Sequence, residues 1–259
     1  MTGSVNFDRA AGFYDETRGF PESVIERIGP FLADAAQLTG DETVLEVGIG
    51  TGRISLPLAP YVERICGIDI SPKMLQKLLD KRNDAAVFPT VGDAHYLPFA
   101  DDSIDVVLVT HVFHLVDNPL AVLAEIRRVL KPGGCLLHTF GRFGYADAMQ
   151  PISEAWRPYS EKSTRKAKWS NSEDLASPNG WETLRTAEFS YDYDTSPAEF
   201  LECVEGRIWS STWYIPEDDL QAGAAAIRAA VDVHFNGDPN TVVPTVRHYH
   251  AHIITPTDV

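Results

Sequence analysis

Between Thr43 and Ala59 the chain reads Thr-Val-Leu-Glu-Val-Gly-Ile-Gly-Thr-Gly-Arg-Ile-Ser-Leu-Pro-Leu-Ala, and no other stretch limits the available folds as strongly. Val44, Leu45 and Val47 form the short apolar run of a buried parallel strand, and Gly48, Gly50 and Gly52 then interrupt it at every second position. A glycine accepts backbone angles that other residues avoid and lets a ligand approach the main chain. A helix over about Gly52 to Ala59, beginning near Thr51, would turn its unpaired N–H groups towards that ligand. The stretch thus predicts a strand, a tight turn and a helix arranged around a nucleotide-like molecule.

The alternation continues downstream. Arg64 to Asp69 reads as a second short strand, and Ser71-Pro72 as a helix start with a capping hydroxyl and a proline at the first position. Ala85 to Gly92 supplies a weaker third strand and Ile104 to Thr110 a strong fourth. Asn118-Pro119 opens a helix through Leu130, Lys131 to Gly134 breaks it, and Cys135 to Phe140 is a fifth strand. Strands and helices in this order predict an α/β fold: a mostly parallel sheet, helices on both faces, and ligands beyond the carboxyl ends of the strands.

Outside that core, Pro21 to Leu38 has a helical rhythm through Val24, Ile28, Phe31, Leu32 and Ala35, whereas Phe7 to Arg18 mixes aromatics and charges without one. Gly141 to Asp174 is polar, is broken by Pro151 and Pro158, and carries the charged run Glu161 to Lys168 with Trp156 and Trp169 as scattered anchors; it reads as a partly mobile cap. Trp181 to Tyr193 predicts a strand, Ser196-Pro-Ala-Glu199 a capping box, Glu217 to Phe235 an alanine-rich helix, and Val246 to Thr255 a last strand.

A chain of 259 residues with 44% hydrophobic content can bury one sizeable core. A formal net charge of −15 argues against a broad nucleic-acid or anionic-membrane surface, which needs clustered Lys and Arg. The three cysteines, Cys66, Cys135 and Cys203, show neither disulfide nor zinc spacing and fit a reducing, cytoplasmic compartment. No apolar run is long enough to span a bilayer and no basic-then-apolar leader is visible.

A glycine-rich turn also serves dinucleotide-binding folds. Here an acid, Glu46, stands two residues before the first glycine, and Arg53 occupies the place of the dinucleotide fingerprint's third small residue. With the further motifs Gly67-Ile-Asp-Ile-Ser-Pro-Lys-Met-Leu75, Gly92-Asp-Ala-His-Tyr-Leu-Pro-Phe99, Asp101-Asp-Ser-Ile-Asp-Val-Val107 and Leu130-Lys-Pro-Gly-Gly134, the chain from about Val44 to Thr139 resembles the class I S-adenosylmethionine-dependent methyltransferases. The resemblance is greatest to the small-molecule group related to the ubiquinone and menaquinone biosynthesis enzymes.

That resemblance implies a Rossmann-like seven-stranded sheet with an antiparallel last strand and a helical cap. It implies one domain organised as an N-terminal helical lid (1–40), a cofactor-binding core (41–140), a cap and acceptor region (141–180 and 195–240) and the last two strands (181–194 and 245–256). For S-adenosylmethionine it implies that Gly48, Gly50 and Gly52 pass close to the cofactor and that Glu46 supports its methionine end. Asp69 would hold the ribose hydroxyls, with Ile70 beside it, and Met74 would pack on the adenine. Asp93 would accept from the adenine amino group with Ala94 at the ring edge, and Thr110 would lie near the sulfonium. Tyr14 and Arg18 match a Tyr-Asp-x-x-Arg pattern in which the tyrosine lids the site and the arginine meets the cofactor carboxylate.

His111 and His114 are candidate pocket walls, acceptor ligands or, with Tyr14, proton acceptors, and Arg207, Trp209, Trp213, Tyr214, Arg247 and His248 are the candidate walls for a small-molecule acceptor. His248, His250 and His252 share one strand face, but no carboxylate or cysteine motif accompanies them, so no metal site is expected. An NAD(P)-dependent oxidoreductase, or a protein that binds S-adenosylmethionine without turning it over, are the competing readings.

Overall fold

The computed structural model describes residues 3–142, 147–164 and 176–257. The chain divides into two compact units, one of Met1–Phe140, Ala167–Glu188 and Tyr249–Val259, the other of Gly141–Lys166 and Phe189–His248.

Seven strands form one sheet: β1 (Thr43–Val47), β2 (Arg64–Asp69), β3 (Val87–Val91), β4 (Ile104–Thr110), β5 (Leu130–Arg142), β6 (Trp181–Thr195) and β7 (Val243–Pro256), in the order β3-β2-β1-β4-β5-β7-β6. β1 lies parallel between β2 and β4, so that Glu46 pairs with Gly67 on one side and Leu108 on the other. β7 runs antiparallel to β6. Thr257 N donates to Gly180 O at one end of the pair, and Thr245 Oγ1 to Tyr193 O at the other.

The central strands are apolar because both faces are covered: Val44, Leu45, Val47, Val107, Leu108 and Val109 are all 0% exposed. In the first unit α2 (Glu22–Ala36), after the one-turn α1 (Tyr14–Arg18), buries the stripe Val24, Ile28, Leu32 and Ala35. α4 (Pro72–Lys81) starts where Ser71 Oγ accepts from Met74 N, and α5 (Pro119–Val129) where Asn118 Oδ1 accepts from Ala121 N, both with proline in the first turn as expected.

The structure corrects the sequence reading at several points. The helix after the glycine turn, α3, is a single turn over Ser55–Leu58 followed by a 3-10 turn to Tyr61, because Gly52 at φ +76° cannot be helical and Pro57 limits how far the helix extends. β5 begins at Leu130, not Cys135. Leu130 pairs with Ile104 and Cys135 with Val106, so the Lys131 to Gly134 segment is a bulge inside the strand and not a break before it.

In the second unit, α6 (Gln150–Ser160) runs through the stretch read as a cap broken by Pro151 and Pro158. Pro151 falls in the first turn, where its missing N–H costs nothing, and Pro158 falls near the end. Trp169 and Lys168 lie outside the described residues. Ser196 Oγ caps α7 (Pro197–Glu205) by accepting from Glu199 N, but the box is only half made: the Glu199 carboxylate accepts from Tyr193 Oη and Thr195 Oγ1. α8 (Glu217–His234) shares an apolar core with α6 and α7 that includes Ile152, Trp156, Phe200, Leu220 and Ile227.

Candidate active site

The turn after β1 is the centre of the first unit's carboxyl-end crevice. Gly48, Gly50 and Gly52 sit at φ +74°, +55° and +76°, the left-handed region that favours glycine. Their surroundings differ. A Cβ on Gly48 would collide with Val112 and one on Gly52 with Leu78, whereas one on Gly50 would come no nearer than 3.3 Å to Met74 Cε and 3.9 Å to Asp69 Oδ2 and the Gly48 carbonyl. The outer two glycines therefore serve the protein's own packing, and Gly50 is the one that leaves the main chain open beside Asp69.

Asp69 ends β2 and fixes the turn. Its Oδ2 accepts from Gly50 N at 2.9 Å and its Oδ1 from Ser71 N at 2.8 Å, and burial raises its pKa. Each oxygen keeps a second lone pair, which is what binding two vicinal hydroxyls requires. Met74, 3% exposed, packs its methyl against Gly50, and Ile70 is half-buried with its carbonyl accepting from Asn6 Nδ2.

Glu46 is buried in the floor of the cleft, which Tyr14, Gly50, Thr51, Arg53 and Thr110 also line. Burial pushes its carboxyl up to about 8, against the opposing effects of the Ser55 hydroxyl that donates to it and the nearby Arg53 charge. A cationic group placed here would favour ionisation. Asp93 lies in the loop after β3, beside the buried Ala94, and its Oδ1 accepts from His95 N at 3.0 Å.

His111 follows β4 at φ +55°. It is half-buried; its desolvation, with the Arg53 and Arg18 charges adding to it, keeps the imidazole well below the ordinary histidine pKa and neutral. His114 stands edge-on to it with ring centroids 6.3 Å apart. Thr110 shares a hydrogen bond with Thr139 at 2.7 Å, and Tyr249 Oη donates to Thr139 Oγ1 at 2.9 Å.

Tyr14 reaches the cleft because Arg53 holds the N-terminal segment down. Its guanidinium donates to the Arg18 carbonyl, lies 4.8 Å from the Phe20 ring and 6.0 Å from that of Tyr14. Asp15 adds a second tie, accepting from Thr51 Oγ1 at 2.5 Å and pairing with Lys81 at 2.7 Å.

The structure thus brings Tyr14, Glu46, the glycines, Asp69, Met74 and Thr110 together around one turn. The sequence did not reveal Arg53's clamping role, the Ser55 bond to Glu46, Asp15, or the Thr139–Tyr249 hydroxyl pair. The last had a visible signal: a threonine within the apolar fifth strand and a tyrosine of opposite parity to His248 and His250 on β7.

The candidate acceptor residues belong to the second unit. Arg207 donates to Ile215 O at 3.0 Å and pairs with Glu217 at 2.9 Å. Trp209 stands edge-on to Phe200, Trp213 Nε1 donates to Arg207 O, and the Tyr214 carbonyl accepts from Thr164 N. Arg247 lies over the Tyr193 ring, and His248 Nδ1 is 2.9 Å from Ser190 Oγ. On β7 His250 stacks on Phe140 and pairs with Glu188 at 3.2 Å; among the described residues no group of His, Cys, Asp or Glu is arranged to hold a metal ion.

Comparison with known proteins bears on this geometry. Residues 45–138 match the methyltransferase-domain family model. The chain is 30% identical over 151 residues to malonyl-[acyl-carrier protein] O-methyltransferase of Serratia marcescens, covering 58% of this chain and 56% of that protein. It is 35% identical over 144 residues to demethylmenaquinone methyltransferase of Renibacterium salmoninarum, covering 53% and 60%. The chain therefore spans little more than half the length of these curated relatives. Phosphoethanolamine N-methyltransferase 2 of Haemonchus contortus, solved with phosphomonomethylethanolamine and S-adenosylhomocysteine, shares the fold at TM-score 0.56 and 18% identity over 97% of this chain and 58% of that one. Residues 45–138 thus match a methyltransferase domain, and this segment carries β2, β4, most of β1 and the acid-glycine turn that Asp69 anchors.

Proposed function

We propose that the chain binds S-adenosylmethionine in the cleft around Gly50 and transfers its methyl group to a small-molecule acceptor. The observation that carries this is the Asp69 carboxylate, pinned by one backbone N–H on each oxygen and facing the opening that Gly50 leaves. The site residues fit the group. Asp69 takes the ribose hydroxyls, Met74 and Ala94 flank the adenine, Asp93 accepts from its amino group, and buried Glu46 meets the ammonium of the methionine end. Arg18, from the segment clamped by Arg53, faces the cofactor carboxylate.

The cofactor supplies an activated methyl on a sulfonium. The protein's task is to align an acceptor lone pair with that methyl and to keep water out, which good positioning makes worth about 7–11 kcal/mol. An oxygen or carbon acceptor, or a protonated amine, also loses a proton. His111, held neutral, accepts one without first being deprotonated, and His114 and Tyr14 stand as alternates. The acceptor walls are assigned to Arg207, Trp209, Trp213, Tyr214, Arg247 and His248. Relatives named as a malonyl-[acyl-carrier protein] O-methyltransferase and a demethylmenaquinone methyltransferase support an oxygen acceptor or a quinone-like acceptor.

A cytoplasmic location is part of the proposal and is supported by three cysteines that are all free thiols. Among the described residues no helix is long and apolar enough to cross a membrane. The test is incubation with methyl-labelled cofactor and a fractionated metabolite extract, followed by mass spectrometry. Label should appear in one acceptor and be lost in Asp69→Ala; label in no fraction, from protein that binds the cofactor, overturns the assignment as an enzyme.

A further inference from the structure

His95 lies between two carboxylates. Its Nδ1 is 2.6 Å from Asp93 Oδ1 and its Nε2 is 3.1 Å from Asp117 Oδ1, and the side chain is only 9% exposed against 22% and 48% for its neighbours. A carboxylate only accepts, so the Nδ1 contact requires the proton on Nδ1. Nε2 makes no hydrogen bond; its 3.1 Å approach to Asp117 Oδ1 is an attractive charge contact when the ring carries both protons.

Both ends of this bridge lead somewhere. Asp93 Oδ1 already takes the His95 backbone N–H at 3.0 Å, so the imidazole gives that oxygen a second bond and leaves Oδ2 without one among the described residues. Asp117, on the other side, accepts through Oδ2 from Gly3 N at 2.9 Å, and two residues further along Val5 N donates to Leu115 O at 2.9 Å. The same N-terminal segment continues over β2's end, where Asn6 bonds Ile70 O and Asp8 bonds Ser71 Oγ.

We propose that His95 is a positioning residue with two tasks: it orients Asp93 so that Oδ2 faces the 6-amino group of the bound adenine, and through Asp117 it clasps the N-terminal segment against the loop after β4. The first task rests on the methyltransferase reading given above; the second does not. In this role His95 acts through Asp93 and not on the cofactor directly. Its ring saturates one oxygen of Asp93, which fixes the carboxylate's rotation and makes the remaining oxygen the acceptor.

Two variants separate the tasks. An asparagine side-chain amide can replace Nδ1 towards Asp93 but does not extend to Asp117; a leucine can replace neither. Binding of S-adenosylhomocysteine and of its analogue lacking the adenine 6-amino group is measured by calorimetry, and exchange of the Val5 and Leu115 amides by mass spectrometry of the ligand-free protein. His95→Leu should weaken S-adenosylhomocysteine by about tenfold, the scale of one hydrogen bond to a charged group, and leave the analogue unchanged. His95→Asn should restore the affinity. Both variants should speed exchange at Val5.

Equal loss for the two ligands in His95→Leu, or no loss, overturns the adenine task, and unchanged Val5 exchange overturns the clasp. If wild-type protein itself does not distinguish the two ligands, Asp93 does not read the amino group and the first task falls with that assignment. If wild-type protein binds neither ligand, the methyltransferase reading falls and takes the adenine task with it, while the exchange result still decides the clasp.

Discussion

Cofactor binding should drive a proton off Glu46. In the free protein burial holds this carboxyl at about 8 against an ordinary 4.5. At about 1.36 kcal/mol for each tenfold change in proton affinity, that displacement corresponds to about 5 kcal/mol. At pH 7 roughly nine in ten molecules hold the proton before ligand arrives. The ammonium of the ligand's amino-acid end beside Glu46 restores the advantage of the ionised form, so binding releases close to one proton. Calorimetric titration of S-adenosylhomocysteine at pH 7 in phosphate and in Tris, whose ionisation heats differ, reads this directly. The apparent heats should differ by about 0.9 of the buffers' difference. Glu46→Gln, which keeps an acceptor for Ser55, should abolish the difference. The free protein carries the opposite signature. Its folded pKa lies above the unfolded one, so wild-type stability falls as pH rises from about 4.5 to about 8, and Glu46→Gln is spared that fall. Buffer-independent heats in a wild type that binds would refute the reasoning.

Asp69→Ala should weaken S-adenosylhomocysteine at least a hundredfold, since two charge-assisted bonds are worth about 1.5–3 kcal/mol each; a loss below tenfold removes the ribose assignment. Gly50→Ala should cost about 1–2 kcal/mol of stability for its left-handed backbone but keep the fold, while Gly52→Ala, which also collides with Leu78, should cost more; urea melts giving the reverse order contradict the packing account. His111→Asn suits the φ of +55°, and because His111 is held neutral it should remove no limb near pH 6.5 from the kcat profile. Disappearance of such a limb would show that His111 titrates in the working range.

The legibility of each feature in the sequence depended on the range of the interactions that create it. β2 and β4 have the bounds expected, because buried parallel strands are continuous apolar runs, and Ser71, Asn118 and Ser196 cap the helices their short-range chemistry announces. The acid-glycine turn was legible as well, since positive φ at alternate residues admits little but glycine. What failed depended on position within an element. Pro151 reads as a breaker until a helix is known to begin at Gln150, and the Lys131 to Gly134 stretch reads as a break until Leu130 is known to pair with Ile104. Arg53 over Phe20 and Asp15 on Thr51 are separated by more than thirty residues of chain, and no local pattern encodes them; Thr139 and Tyr249 each stand out within their own strands, but their pairing across strands does not. The Glu199 carboxylate illustrates the same limit, because its partners Tyr193 and Thr195 compete with the capping bond the local motif predicts.

The most direct test of the central claim is calorimetric titration of the purified chain with S-adenosylhomocysteine, with NADH as the control. The account predicts saturable binding to one site per chain, lost in Asp69→Ala, and no heat with NADH. A folded protein that gives no heat with S-adenosylhomocysteine, or that binds NADH in its place, would contradict it.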